Sequence, residues 1–181
     1  RAACGHAPWL LVSEARALQQ QRQYQEASLA YEKAARLLAE AGDRQGLLLV
    51  LLSSAFCLYT QARWQESLAV LHRCRAVADT PSERAEVLVA EGHVLVSLCR
   101  WDEGVENWEK ALVLVADDER SSIACRVHLG RARLFNSLGH YRLARQWAEK
   151  AAAAKAAMEP NACHSVPKMT APGSTSRPPV R

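Results

Sequence analysis

The sequence predicts an all-α fold, a stack of about four helix–turn–helix repeats. Three observations carry that expectation. Aromatic residues recur at Tyr24, Trp64, Trp101 and Tyr141, spaced by 40, 37 and 40 residues. Small residues keep step with them, at Ala27, Ser67, Gly104 and Ala144 and again at Ala34, Cys74, Ala111 and Ala151. Ahead of each aromatic stand Ala15, Ala55, Gly92 and Ala132, followed three residues later by Leu18, Leu58, Leu95 and Phe135. Steps of three, four and seven keep residues on one face of a helix. Five positions that agree in type across four copies mark an internal repeat, each copy a unit that buries its apolar face only against neighbours.

Taken in order, helices are expected over about 9–21, 25–41, 45–60, 65–78, 82–98, 102–116, 119–138 and 142–157. Gly42-Asp43 closes the first pair and opens the second, a left-handed stop followed by a capping carboxylate. The second pair starts with the longest apolar run, Leu47 to Leu52, continued as mixed sequence to Tyr59. That is short of the roughly 20 residues of a membrane span, so it reads as a buried helix. Thr80-Pro81-Ser82-Glu83 has the spacing of a capping box with proline at the first helical position. In the third pair Leu88, Gly92 and Leu95 share one face, and Gly104, Trp108 and Ala111 share another. Gly92 and Gly104 let the two backbones approach, and Trp108 fills the space beside them. The turn Cys99-Arg100-Trp101-Asp102 places Asp102 as the expected cap of the next helix. Asp117-Asp118 precedes the fourth pair.

This order of small, large and aromatic residues, with Tyr31, Leu71 and Trp108 as large residues in the second helices, resembles the tetratricopeptide repeat (TPR) pattern. The resemblance covers about residues 8–157. In the fourth copy Ala148 stands where the large residue belongs, and Trp147 sits one place early. The proline usual near the end of a copy is missing from all four, and the spacing exceeds the family's roughly 34 residues. Both departures resemble the longer-period branch that includes rapsyn and the G-protein-signalling modulators. The resemblance implies a TPR-like α-solenoid over 8–158, with residues 1–7 as a disordered extension. Residues 159–181 are expected to be a disordered tail from their own composition: Pro160, Pro167, Pro172, Pro178 and Pro179 lie among Ser, Thr and Gly with little to bury.

Composition removes several function classes. Hydrophobic residues make up 49% and charged residues 23%, as in an ordinary globular domain with a real core. The net charge is +4, but Lys168, Arg177 and Arg181 against Glu159 supply half of it. A body so nearly neutral, without a Lys/Arg run, disfavours nucleic acid. The chain opens on Arg-Ala-Ala-Cys without methionine, as expected of a fragment or processed piece. Cys57, Cys74, Cys99 and Cys125 fall within the repeats near positions expected to be buried, and no CxxC occurs. They are expected to be reduced thiols of a cytoplasmic chain. Cys4/His6 and Cys163/His164 are too isolated for zinc. No nucleophile elbow, phosphate loop, HExxH or dinucleotide-binding glycine pattern is present, and no cofactor is expected. The acidic cluster Asp117-Asp118-Glu119 reads as compensation for a helix dipole. The chain is therefore not expected to be an enzyme.

What remains is a surface. In TPR proteins the first helices of successive pairs line a concave groove. The resemblance assigns to it Trp9, Val12, Arg16 and Gln19 from the first pair, and Leu49, Leu52, Phe56 and Tyr59 from the second. The third offers Glu86, Val89, His93 and Val96, and the fourth Arg126, Leu129, Arg133 and Asn136. The middle is apolar and the ends partly basic. Members of the family that clamp chaperone tails use lysine and asparagine at particular groove positions, a set these residues do not supply. The expected function is a non-catalytic adaptor that binds a peptide or amphipathic helix with acidic flanks. A different class is also open: a self-association or assembly segment of a larger protein, its apolar stripe covered by further repeats or an internal helix.

Overall fold

The computed structural model describes residues 7–115 and 122–158. Among them the chain forms eight α-helices and no strand: α1 (Ala7–Gln20), α2 (Tyr24–Ala41), α3 (Arg44–Thr60), α4 (Trp64–Val77), α5 (Pro81–Ser97), α6 (Trp101–Leu114), α7 (Ser122–Ser137) and α8 (Tyr141–Met158). The fold is all-α, and each helix packs on its neighbours in the chain. The sequence-based bounds differ from these by three residues at most. Ala7 belongs to α1 rather than to a disordered extension. The rest of that extension, the Asp117-Asp118-Glu119 cluster, the isolated Cys/His pairs and the tail from 159 lie outside the described residues.

The four tight turns repeat one backbone geometry. Arg22, Ala62, Cys99 and Gly139 have φ of 61, 58, 61 and 78°, each two residues before the turn aromatic. A left-handed residue there turns the chain back, so that the next amide reaches the last turn of the helix just ended. Gln23, Arg63, Arg100 and His140 accordingly donate N–H to the carbonyls of Leu18, Leu58, Leu95 and Phe135 at 2.9, 3.0, 2.9 and 2.8 Å. This geometry corrects the expected role of Asp102. The new helix starts at Trp101 with Arg100 as its cap residue and no capping side chain, so Asp102 already lies inside the first turn. There it faces the positive end of the helix dipole instead.

The connections between pairs behave as their residues dictate. Gly42 stops α2 with φ 71°, and Asp43 accepts from the Gly46 amide at 2.9 Å. Thr80 and Glu83 form the capping box of α5. Glu83 also receives both guanidinium arms of Arg44, at 2.7 and 3.0 Å, and Arg44 donates as well to the Val77 carbonyl. One arginine thus ties the start of α3 to the α4–α5 connection.

Two clusters of buried side chains hold the helices together. The first joins α1 to α4 and takes Val87 and Val94 from α5; the second joins α5, α6 and α7 around Trp108. A Cβ on Gly92 would lie 2.3 Å from Trp108 Nε1 and 2.9 Å from the Gly104 carbonyl oxygen. Both glycines are therefore required by close approach. Tyr24 and Trp64 pack against the first cluster, whereas Trp101 and Tyr141 are 44% and 70% exposed. Cys57 and Cys74 are buried, Cys125 is half-buried, and Cys99 is exposed, because its left-handed turn position carries it out of the core.

Candidate functional site

The odd-numbered helices α1, α3, α5 and α7 share a cleft of about 480 Å³. Its central wall is α3. Leu49, Leu52, Phe56 and Tyr59 recur at steps of three, four and three, so they make one stripe, and all four line the cleft. Leu49 and Phe56 are 41% and 48% exposed. Leu48, Leu51 and Leu58 of the same helix are buried in the first core, and Leu52 and Tyr59 pack partly against it. Leu49 and Phe56 are thus the part of the stripe that core packing leaves open.

Polar groups frame it. Gln19 of α1 accepts from the Tyr31 hydroxyl at 2.8 Å, which fixes one edge of the cleft. Tyr59 of α3 accepts a hydrogen bond from Ser97 of α5 at 3.4 Å, and Phe56 meets the Tyr24 ring edge-on at 6.5 Å. Glu86 and His93 line the cleft from α5, and Arg126, Leu129 and Arg133 from α7. His93 lies edge-on to Trp108, with ring centroids 5.2 Å apart, and it fits because position 130 has no side chain. A Cβ there would lie 2.6 Å from His93 Cε1. Burial pushes the imidazole down to about 4, with Arg126 and then Arg133 adding to the shift. His93 is therefore neutral near pH 7.

Of the residues singled out from the sequence, Leu49, Leu52, Phe56, Tyr59, His93, Arg126, Leu129 and Arg133 line one cleft. It places others elsewhere. Val12, 2% exposed, belongs to the first core, and Val89, wholly buried, belongs to the second. Val96 is half-buried between α5 and α6, its Cγ2 2.7 Å from where a Cβ on Gly104 would stand. Trp9 and Arg16 are exposed on α1 but do not line the cleft. Ala90 and Val94 of α5 line it instead, with Ser67 and Leu71 of α4 on its floor. Successive helical residues are turned by about 100°, so a register offset of one residue moves a side chain from wall to core. Ala90 in place of Val89 is such an offset.

Among the described residues, no three His, Cys, Asp or Glu side chains come together in a way that could hold a metal ion. No described helix is long and apolar enough to cross a membrane. No protein-family model matches the chain, and no curated protein matches it.

Proposed function

We propose that this chain is a non-catalytic interaction module, a TPR-like solenoid whose concave cleft receives a peptide or amphipathic helix from a protein partner. The observation that carries this reading is the apolar stripe of α3 along an open cleft, where Leu49 and Phe56 stay exposed beside the partly packed Leu52 and Tyr59. Apolar surface of that kind usually marks a partner site, and a helix laid along it would bury the exposed rings. Four turns of one geometry and side chains from four odd-numbered helices support the repeat reading. Free thiols at Cys57, Cys74, Cys99 and Cys125 support a reducing, cytoplasmic setting.

The test uses amphipathic helical peptides selected on the full chain from a randomised display library. Phe56→Ala should weaken the selected peptides by about 1–3 kcal/mol, the range of a modest hot spot. Peptides that bind the variant as well as the parent would remove the cleft from the reading.

A second reading, self-assembly, is favoured by apolar residues exposed outside the cleft. Leu10, Leu29 and Val113 are 69%, 59% and 74% exposed. Sedimentation over a concentration series separates the two: an adaptor stays monomeric, whereas an assembly segment grows with concentration.

A further inference from the structure

The fourth tight turn breaks a rule that the other three keep. Two residues after the turn aromatic, α2, α4 and α6 each carry a glutamate in their first turn: Glu26, Glu66 and Glu103. Glu66 and Glu103 each accept two N–H groups from the arginine three residues back, Arg63 and Arg100. The matching position of α8 is Leu143, with Arg142 before it and no acid in the first turn. Packing does not ask for this change, since the fold accommodates glutamate there three times. Nor does the helix, because a cation at its start faces the positive end of the dipole.

The result is a tip that is apolar and cationic together. Leu138, Tyr141 and Leu143 are 38%, 70% and 41% exposed. Side chains in the first turn of a helix lean toward its N-terminus, so Tyr141, Arg142 and Leu143 project past the start of α8. Arg142 forms no ion pair among the described residues. Arg145 pairs with Glu149, but both side chains are largely in water, where such a pair holds weakly. Residues 122–158 as a whole carry seven Lys and Arg against one acid, Glu149, so no local carboxylate excess offsets the tip.

We propose that this tip docks on an anionic lipid bilayer, with Leu138, Tyr141 and Leu143 entering the interfacial layer and Arg142 and Arg145 against the lipid headgroups. The contact is peripheral and separate from the cleft, which none of the five residues lines. Charge complementarity selects an anionic surface, and the shape of the tip selects a bilayer. A peptide is held by a groove or a sheet edge, whereas these side chains project from the end of a helix pair. A bilayer interface closes around protruding apolar groups, takes a tyrosine ring at headgroup depth and attracts nearby basic residues. Glu26, Glu66, Asp102 and Glu103 at the preceding turns would be repelled by the same surface. The array therefore meets the bilayer by its last copy alone.

Co-sedimentation of the full chain with vesicles tests this, comparing pure phosphatidylcholine with vesicles containing about one-third phosphatidylserine. Binding should require the anionic lipid and should weaken as salt rises. Leu143→Glu installs the residue that the other three copies carry, so it should melt like the parent. It should nonetheless weaken vesicle binding at least about tenfold, by removing an inserted side chain and adding a repelled charge. Arg142→Gln should weaken binding about fivefold, the ~1 kcal/mol of one basic side chain near an anionic surface. Lys168, Arg177 and Arg181 stay in both variants, so attraction arising from them would survive the substitutions. Peptides selected for the cleft should bind Leu143→Glu as they bind the parent, which keeps this outcome apart from that of the cleft. A chain that ignores anionic vesicles, binds without regard to lipid charge, or binds equally well as Leu143→Glu would overturn the proposal. Equal binding to polyglutamate with the same dependence on Leu143 would also overturn it, and would assign the tip to an acidic protein surface.

Discussion

Trp108 donates its indole N–H to the carbonyl oxygen of Val89 across the α5–α6 seam, at 3.3 Å. That bond satisfies the one polar atom of the largest fully buried side chain. Val89 itself is wholly buried. Replacing Trp108 by alanine should cost about 3–5 kcal/mol, the usual range for emptying a buried aromatic site. Gly92→Ala attacks the same seam from the other side and should cost about 1–3 kcal/mol by overpacking. Denaturant melts of both variants check this; a change below about 0.5 kcal/mol in either would mean that the seam is not as tight as the contacts imply.

The two faces of α3 should separate cleanly in stability. Leu58 is 6% exposed and Phe56 is 48% exposed. Leu58→Ala should cost about 2–5 kcal/mol. Phe56→Ala, which removes a ring already half in water, should cost less than about 1 kcal/mol. Equal losses would assign the cleft stripe to the core.

How much of this was legible in the sequence follows from which signals repeat. Turn aromatics and small residues recur with every copy, so their spacing located all eight helices, the glycine seam at Gly92 and Gly104, and the α3 stripe. Capping signals that depend on one side chain were read well at Thr80 and Asp43, where the chain enters the helix from an extended or open connection. The same logic failed at Asp102, because the left-handed Cys99 starts the helix earlier. The cleft wall was harder. Val12 and Val89 were assigned by transferring one register to all first helices. Yet α5 is gripped by helices on both sides, so Ala90 faces the cleft in place of Val89. Helix rotation is set by packing partners distant in sequence, and no local pattern records it.

Acid should weaken the fold through Glu83. Arg44 chiefly, with the amides of Asp79 and Thr80, holds this carboxyl down at about 2 against an ordinary 4.5. The folded value is the lower one, so the contribution is present in full above about 4.5 and is lost as pH falls toward about 2. Glu83→Gln should flatten that part of the stability profile while losing some stability at neutral pH. An unchanged profile between those values would mean that the Arg44 fork contributes nothing.

Thiol chemistry should report burial residue by residue. Burial raises Cys57 to about 11 and Cys74 to about 12, so almost no thiolate forms near neutral pH. Cys99 is exposed at its turn. Iodoacetamide with peptide mapping should label Cys99 quickly and should reach Cys57 and Cys74 only on unfolding. Rapid labelling of Cys74 in the native chain would contradict the first core as described.

The helix α5 lends Val87 and Val94 to one core and Ala85 and Val89 to the other. A chain of this kind has a keystone rather than a gradient. Fraying can start at either extremity, but neither half can release its last ordered layer without loosening the other. Amide exchange should therefore be slowest in the middle of the chain, along 85–95, and the two halves should lose that protection together.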